Sequence, residues 1–119
     1  MSNVEENKRT LRTFIQMFNS RAPDFAAVMS DDFVWRGIES AAFEGRKAYE
    51  EGIKRVPTDM QITIDDIVAE GDRVLVRLSM VGTGVNKVLG RSKSDGPVFT
   101  NDLFRIQDGK IIEEWSGHR

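Results

Sequence analysis

In the stretch Pro97 to Ile106, Val98, Thr100, Asp102, Phe104 and Ile106 fall at every second position, so a strand here turns all five to one face. If that face is the concave one, Asp102 is a carboxylate among apolar neighbours. Burying it unpaired costs several kcal/mol, and loss of water raises its pKa toward the range in which a carboxyl exchanges protons near neutral pH. Thr100 and Phe104 share its face and would touch the same ligand. Ser116 has no neighbouring base to make it a nucleophile and reads as polar lining. Trp35 and Trp115 can stack on a flat molecule or fill space, with Trp35 the one expected to reach a ligand. The acidic pairs Asp31-Asp32, Asp65-Asp66 and Glu113-Glu114 do not make paired-carboxylate sites, because neighbours on a strand point to opposite faces. His118 is the single histidine, expected frayed and solvated. With no cysteine in the chain, no metal site and no cofactor are expected.

The elements that must carry these residues read as follows. Ser2 and Glu5 form a capping box, and Val4, Leu11, Phe14, Ile15 and Phe18 then recur at helical spacing in a long first helix. Asp24 to Met29 is a short second helix, and Phe33 to Arg36 a strand. Glu44-Gly45 opens a third helix, Arg46 to Val56, which Pro57 stops; Tyr49 is expected on its flank. Met60 to Ala69 and Arg73 to Thr83 pair about the turn Glu70-Gly71-Asp72. Pro97 to Ile106 and Lys110 to Trp115 pair about Gln107-Asp108-Gly109, where Asp-Gly supplies the positive φ angles of a tight turn. Gly84 to Gly96 is a long polar loop suited to a pocket rim or lid.

A chain of 119 residues with seven Phe and two Trp can build one core, so a single domain over residues 1–119 is expected. The net charge of −2 lacks the cationic excess of a nucleic-acid binder. No apolar run approaches bilayer length, and Met1 to Glu6 lack the features of a secretory signal. Together with the missing cysteines this implies a cytoplasmic protein, without membrane or nucleic-acid partners.

The run Asn101-Asp102-Leu103-Phe104-Arg105-Ile106-Gln107-Asp108-Gly109-Lys110-Ile111-Ile112-Glu113-Glu114-Trp115 resembles the closing hairpin of SnoaL-like polyketide cyclases. These belong to the superfamily of ketosteroid isomerase and nuclear transport factor two. Ser30-Asp31-Asp32-Phe33-Val34, Phe43-Glu44-Gly45-Arg46-Lys47-Ala48 and Glu70-Gly71-Asp72-Arg73-Val74 extend the likeness over nearly the whole chain. The elements so read run in the order α-α-β-α-β-β-β-β, and the resemblance implies an α+β fold. In it a cone-like, curved antiparallel or mixed sheet carries three helices, from the N-terminal half, on its concave face around a small-molecule pocket. The cyclases' acid after Glu-Glu-Trp falls at Ser116 and their pocket histidine at Arg36. Asp102 matches the neutral oxyanion-hole Asp of ketosteroid isomerase, whose tyrosine falls at Phe14 and whose base falls at Gly37. The arginine that precedes the Asp of limonene epoxide hydrolase falls at Thr100.

The resulting expectation is a pocket for a small, largely apolar carbonyl compound. Asp102 is its acid/base, Arg36 the anion stabiliser, and Trp35, Phe14, Thr100, Phe104 and Ser116 are the ligand contacts. A structural Asp102–Arg36 ion pair, in a binding or dimerisation module without chemistry, is the competing reading. Leu75, Val81, Phe99, Leu103, Ile111 and Trp115 on the opposite sheet face predict a homodimer.

Overall fold

In the computed structural model, residues 3–20, 24–37, 42–55, 59–82 and 97–118 are described. Helix α1 (Val4–Ser20) leads to a 3-10 turn (Phe25–Ala27). Strands β1 (Met29–Arg36) and β2 (Ala42–Glu44), helix α2 (Arg46–Ile53) and strands β3 (Gln61–Glu70), β4 (Arg73–Val81), β5 (Val98–Gln107) and β6 (Lys110–His118) follow. The strands form one six-stranded sheet in the order β2-β1-β6-β5-β4-β3, antiparallel except for the β1–β6 pair. The fold is thus α+β with a mixed sheet, as expected, and among the described residues it has two α-helices rather than three.

Two departures from the sequence reading have a common cause, which is that the sheet captures backbone the sequence assigns elsewhere. The segment Asp24 to Met29 forms a single 3-10 turn because Val28 accepts a hydrogen bond from Ile111 N (2.7 Å) and Met29 pairs with Ile111 in the sheet. Residues ahead of the third predicted helix form the short strand β2, with Phe43 opposite Trp35. Gly45, at φ 94°, then turns the chain into α2 while its N–H bonds Phe33 O. The expected helix stop at Val56-Pro57 and the Gly84 to Gly96 loop lie outside the described residues, as does Ser2 of the expected capping box. The cap of α1 is Asn3, whose Oδ1 accepts from Glu6 N at 3.1 Å.

Helix α1 lies against β3 and is pinned there at both ends. Near its start Asn7, buried, donates Nδ2–H to Gly71 O in the β3–β4 turn. Near its end Asn19 both donates to Ile62 O and accepts from Ile62 N, each at 2.8 Å. Between these clamps Leu11, Phe14, Ile15 and Phe18 face the sheet and are buried. Their counterparts on β4 and β5 are Val74, Val76, Leu78, Val98, Phe104 and Ile106. At the β5–β6 turn Asp108 and Gly109 have φ of 52° and 76°, the two positive angles of the tight hairpin that Asp-Gly predicts. His118 pairs with Thr100, so the strand continues further than the frayed end expected.

Candidate functional site

Asp102 is on the inner sheet face and 3% exposed. The alternation that points it inward also buries Val98, Thr100, Phe104 and Ile106 beside it. Its cross-strand neighbours are Val76 on β4 and Ser116 on β6. On β6, Glu114 (5% exposed) is also turned inward, opposite Phe104 and beside Trp35 of β1. One hydroxyl ties these groups together. Ser116 Oγ lies 3.1 Å from Asp102 Oδ2 and 3.3 Å from Glu114 Oε2, and it accepts a hydrogen bond from Trp35 Nε1 at 2.8 Å.

Aromatic rings pack around this cluster. Phe14 meets Phe104 edge to face with centroids 5.9 Å apart, and Trp35 stacks on Phe43 at 5.2 Å. Tyr49 sits within 5.1 to 6.4 Å of Phe33, Phe25, Phe14 and Phe43. It is therefore a core residue, not the flank residue expected. Helix α2 is short and its buried side chain is Tyr49, so the helix docks through that ring. Gly37 has a local role too. A Cβ there would come within 2.3 Å of the Trp35 indole, so the bare backbone lets the ring lie across it.

Water is scarce around the two carboxyls, and this sets their chemistry. Burial pushes Glu114 well above the usual carboxylate range, and the negative charge of Asp102 pushes it further. Burial also raises Asp102, while Glu114 and Ser116 act to lower it by hydrogen bonding. Tyr49 is raised well above its usual value by burial, then by the charges of Glu114 and Asp102, and stays a neutral phenol. Among the described residues no salt bridge reaches Asp102 or Glu114, and Asp102 Oδ1, Glu114 Oε1 and Thr100 Oγ1 are buried without a hydrogen-bond partner. Buried polar atoms of this kind are uncommon and point to a ligand or water.

Arg36 is not brought to Asp102. It follows Trp35 on the strand, so it projects from the opposite face, where its side chain is 51% exposed and Nε donates to Glu113 Oε2 at 2.7 Å. The expected Asp102–Arg36 pair is absent, which removes the structural ion-pair explanation for Asp102. Phe14 and Phe104 are packed into the core at 2% and 0% exposure, while Trp35 and Ser116 are partly buried. Glu114 is the residue the sequence reading passed over. The parity that places Trp115 outside places Glu114 and Ser116 inside, so its position was open to the same reasoning. An open groove of about 500 Å³ between α1 and β3, edged by Arg12, Gln16 and Asp66, shares no residue with this cluster. Among the described residues no group of His, Cys, Asp and Glu has the arrangement of a metal site, and no helix is long and apolar enough to cross a membrane.

This chain belongs to the SnoaL-like domain family, whose sequence profile matches residues 11–114. Solved structures agree on the fold. A proposed ketosteroid isomerase from Kribbella flavida superposes with a TM-score of 0.83 at 20% identity, covering 100% of this chain and 82% of that one. A proposed SnoaL-like polyketide cyclase from Jannaschia sp. gives 0.73 at 22% identity, over 95% and 85% of the two chains. An epoxide hydrolase of the LEH-like type from M. tuberculosis gives 0.72 at 18% identity, over 98% and 84%. No curated protein matches by sequence. At these identities the structural likeness is one of architecture, within which isomerase, cyclase and epoxide hydrolase names all occur.

Proposed function

We propose that this domain binds a small, uncharged, largely apolar carbonyl compound against Asp102 and transfers a proton at it, in a reaction of the isomerase, cyclase or dehydratase type. The observation that carries this reading is Asp102 itself, buried at 3% exposure with no cation beside it among the described residues. A buried carboxylate without a counter-charge is costly, and such groups concentrate where their altered acidity is used. Trp35, Phe14 and Phe104 supply an apolar surround and Thr100 a hydroxyl without a partner. Arg36, bonded to Glu113 on the far face, takes no part. The names carried by structural neighbours support the reaction class without selecting a substrate.

The test is hydrogen–deuterium exchange alpha to the carbonyl, followed by NMR in D2O over a panel of uncharged cyclic and aryl ketones. Asp102→Asn is expected to lower the exchange rate by roughly a hundredfold or more, the scale for loss of a general acid/base. Equal rates for the two proteins would remove Asp102 from the chemistry.

A second reading concerns assembly, and one observation favours it. Val68, Leu75, Val81 and Phe99 are about half exposed on the outer sheet face, and Val68, Leu75, Leu103 and Trp115 are cross-strand neighbours in one row over four strands. Apolar surface this continuous supports a homodimer through that face. The absence of cysteine supports a reducing compartment such as the cytoplasm as its place of work.

A further inference from the structure

Ser116 has one hydroxyl proton and three polar neighbours, and that imbalance carries information about the whole cluster. The Trp35 indole only donates, so Ser116 Oγ accepts at that contact. Its own proton can go to one carboxylate, and Asp102 Oδ2 at 3.1 Å is the nearer of the two. The remaining contact, to Glu114 Oε2, becomes a hydrogen bond only if Glu114 brings a proton, which Ser116 Oγ and the directly bonded Asp102 carboxylate then share as acceptors. All of these contacts are satisfied together when Glu114 is a neutral acid and Asp102 a carboxylate. The environments agree with that division. Glu114 lies beside the Trp35 and Phe104 rings, with Asp102 of β5 and Tyr49 of α2 as the titratable groups near it and no cation among the described residues.

We infer that Glu114, Ser116 and Asp102 form a one-proton relay, with Glu114 as the stored acid and Asp102 as the resting base, acting on an uncharged carbonyl compound. This rests on the proton-transfer reading above and names the second carboxyl that it needs. In the forward step the Asp102 carboxylate takes a proton from the carbon alpha to the carbonyl. The electron pair of that C–H bond forms the carbon–carbon double bond of the enol, and the carbonyl oxygen takes the proton of Glu114. Asp102 is left neutral and Glu114 ionised. The relay then resets, as Asp102 gives its proton to Ser116 Oγ while Ser116 gives its own to Glu114. The reset itself needs no proton from solvent, the carboxyl protons equilibrate with solvent between turnovers, and the site keeps a single negative charge throughout. That charge, with no cation to offset it among the described residues, disfavours carboxylate and phosphate substrates. Trp35 acts as a positioning residue, holding the Ser116 lone pair that is not used in transfer.

The experiment reads the protonation states directly, in ligand-free protein with ¹³C-labelled Asp and Glu carboxyls titrated by NMR. At pH 7 Glu114 is expected to show the shift of a neutral acid and Asp102 that of a carboxylate. Ser116→Ala should raise the Asp102 midpoint, and Ser116→Thr should restore it. An ionised Glu114 at pH 7, or an Asp102 midpoint that does not move in Ser116→Ala, would overturn the relay. Ketone exchange separates its failure from that of the broader reading. Asp102-dependent exchange with Glu114 ionised overturns the relay alone, whereas no exchange with the expected shifts intact overturns the function reading. In an active protein, Glu114→Gln should lower kcat about a hundredfold with little change in KM.

Discussion

The two faces of strands β5 and β6 carry similar numbers of charged groups and treat them in opposite ways. Outside, Arg105 reaches Asp72 at 3.2 Å and Glu113 at 3.4 Å, Arg36 reaches Glu113 at 2.7 Å, and Gln107 donates to Asp72. Each acid there has a cation, and water lies close by. Inside, Asp102 and Glu114 have no cation among the described residues and are almost dry. Exposed ion pairs contribute little to stability, about 1 kcal/mol or less, because screening and side-chain entropy offset the attraction. The inner carboxyls hold their places against a desolvation cost that their hydrogen bonds only partly offset. Charge on the outer face organises the surface, whereas on the inner face the proposed proton transfer is what would make use of the two carboxyls.

The largest effect that would break this contrast is a dependence of stability on pH that originates inside. Glu114 has a folded-state pKa raised above its value in the unfolded chain, mainly by burial. Its contribution is complete below the ordinary glutamate pKa. It is lost as pH rises toward the raised folded value, because the unfolded chain releases a proton that the folded one retains. The slope approaches about 1.4 kcal/mol per pH unit where the two states differ by a full proton. Denaturant titrations across pH 5 to 9 should show stability falling with pH, and Glu114→Gln should flatten the curve. A wild-type curve already flat over that range would mean that Glu114 is not the buried neutral acid described.

The outer face offers a test of intermediate size. If Leu75 and Leu103 meet their copies across a dimer, Leu75→Glu places a charge in the apolar row and should weaken association at least tenfold, about 1.4 kcal/mol. Light scattering over a dilution series reads this, and wild-type protein that stays monomeric at micromolar concentration would remove the dimer. The smallest effect is expected at Arg36. Arg36→Ala breaks an exposed pair and should cost about 1 kcal/mol or less, leaving ketone exchange unchanged. A drop in exchange comparable to that of Asp102→Asn would return Arg36 to the chemistry.

Legibility from sequence followed the range of the interaction. Alternation in β4 and β5 is local, and it placed Val74, Val76, Leu78, Thr100, Asp102 and Phe104 on the buried face. On β6 the same rule failed at one residue. Ile111 was expected outside but is fully buried, because the register shifts between the Arg105–Glu113 and Ile106–Ile111 pairs. A β-bulge of this kind changes side-chain parity and has no signature in alternation itself. The short helix expected over Asp24 to Met29 gave way to a 3-10 turn and β pairing with Ile111, far along the chain.

Composition, periodicity and turn residues thus determined the class of fold, the four long strands and the face that Asp102 shares with Thr100 and Phe104, since each depends on neighbours a few residues apart. Only the tertiary structure decided what surrounds the Asp102 side chain. Parallel pairing of β1 with β6 brings Trp35 beside Glu114 and Ser116 and turns Arg36 to the other face. Which charges meet in a sheet depends on strand order and register, and those are set by contacts between segments some 80 residues apart.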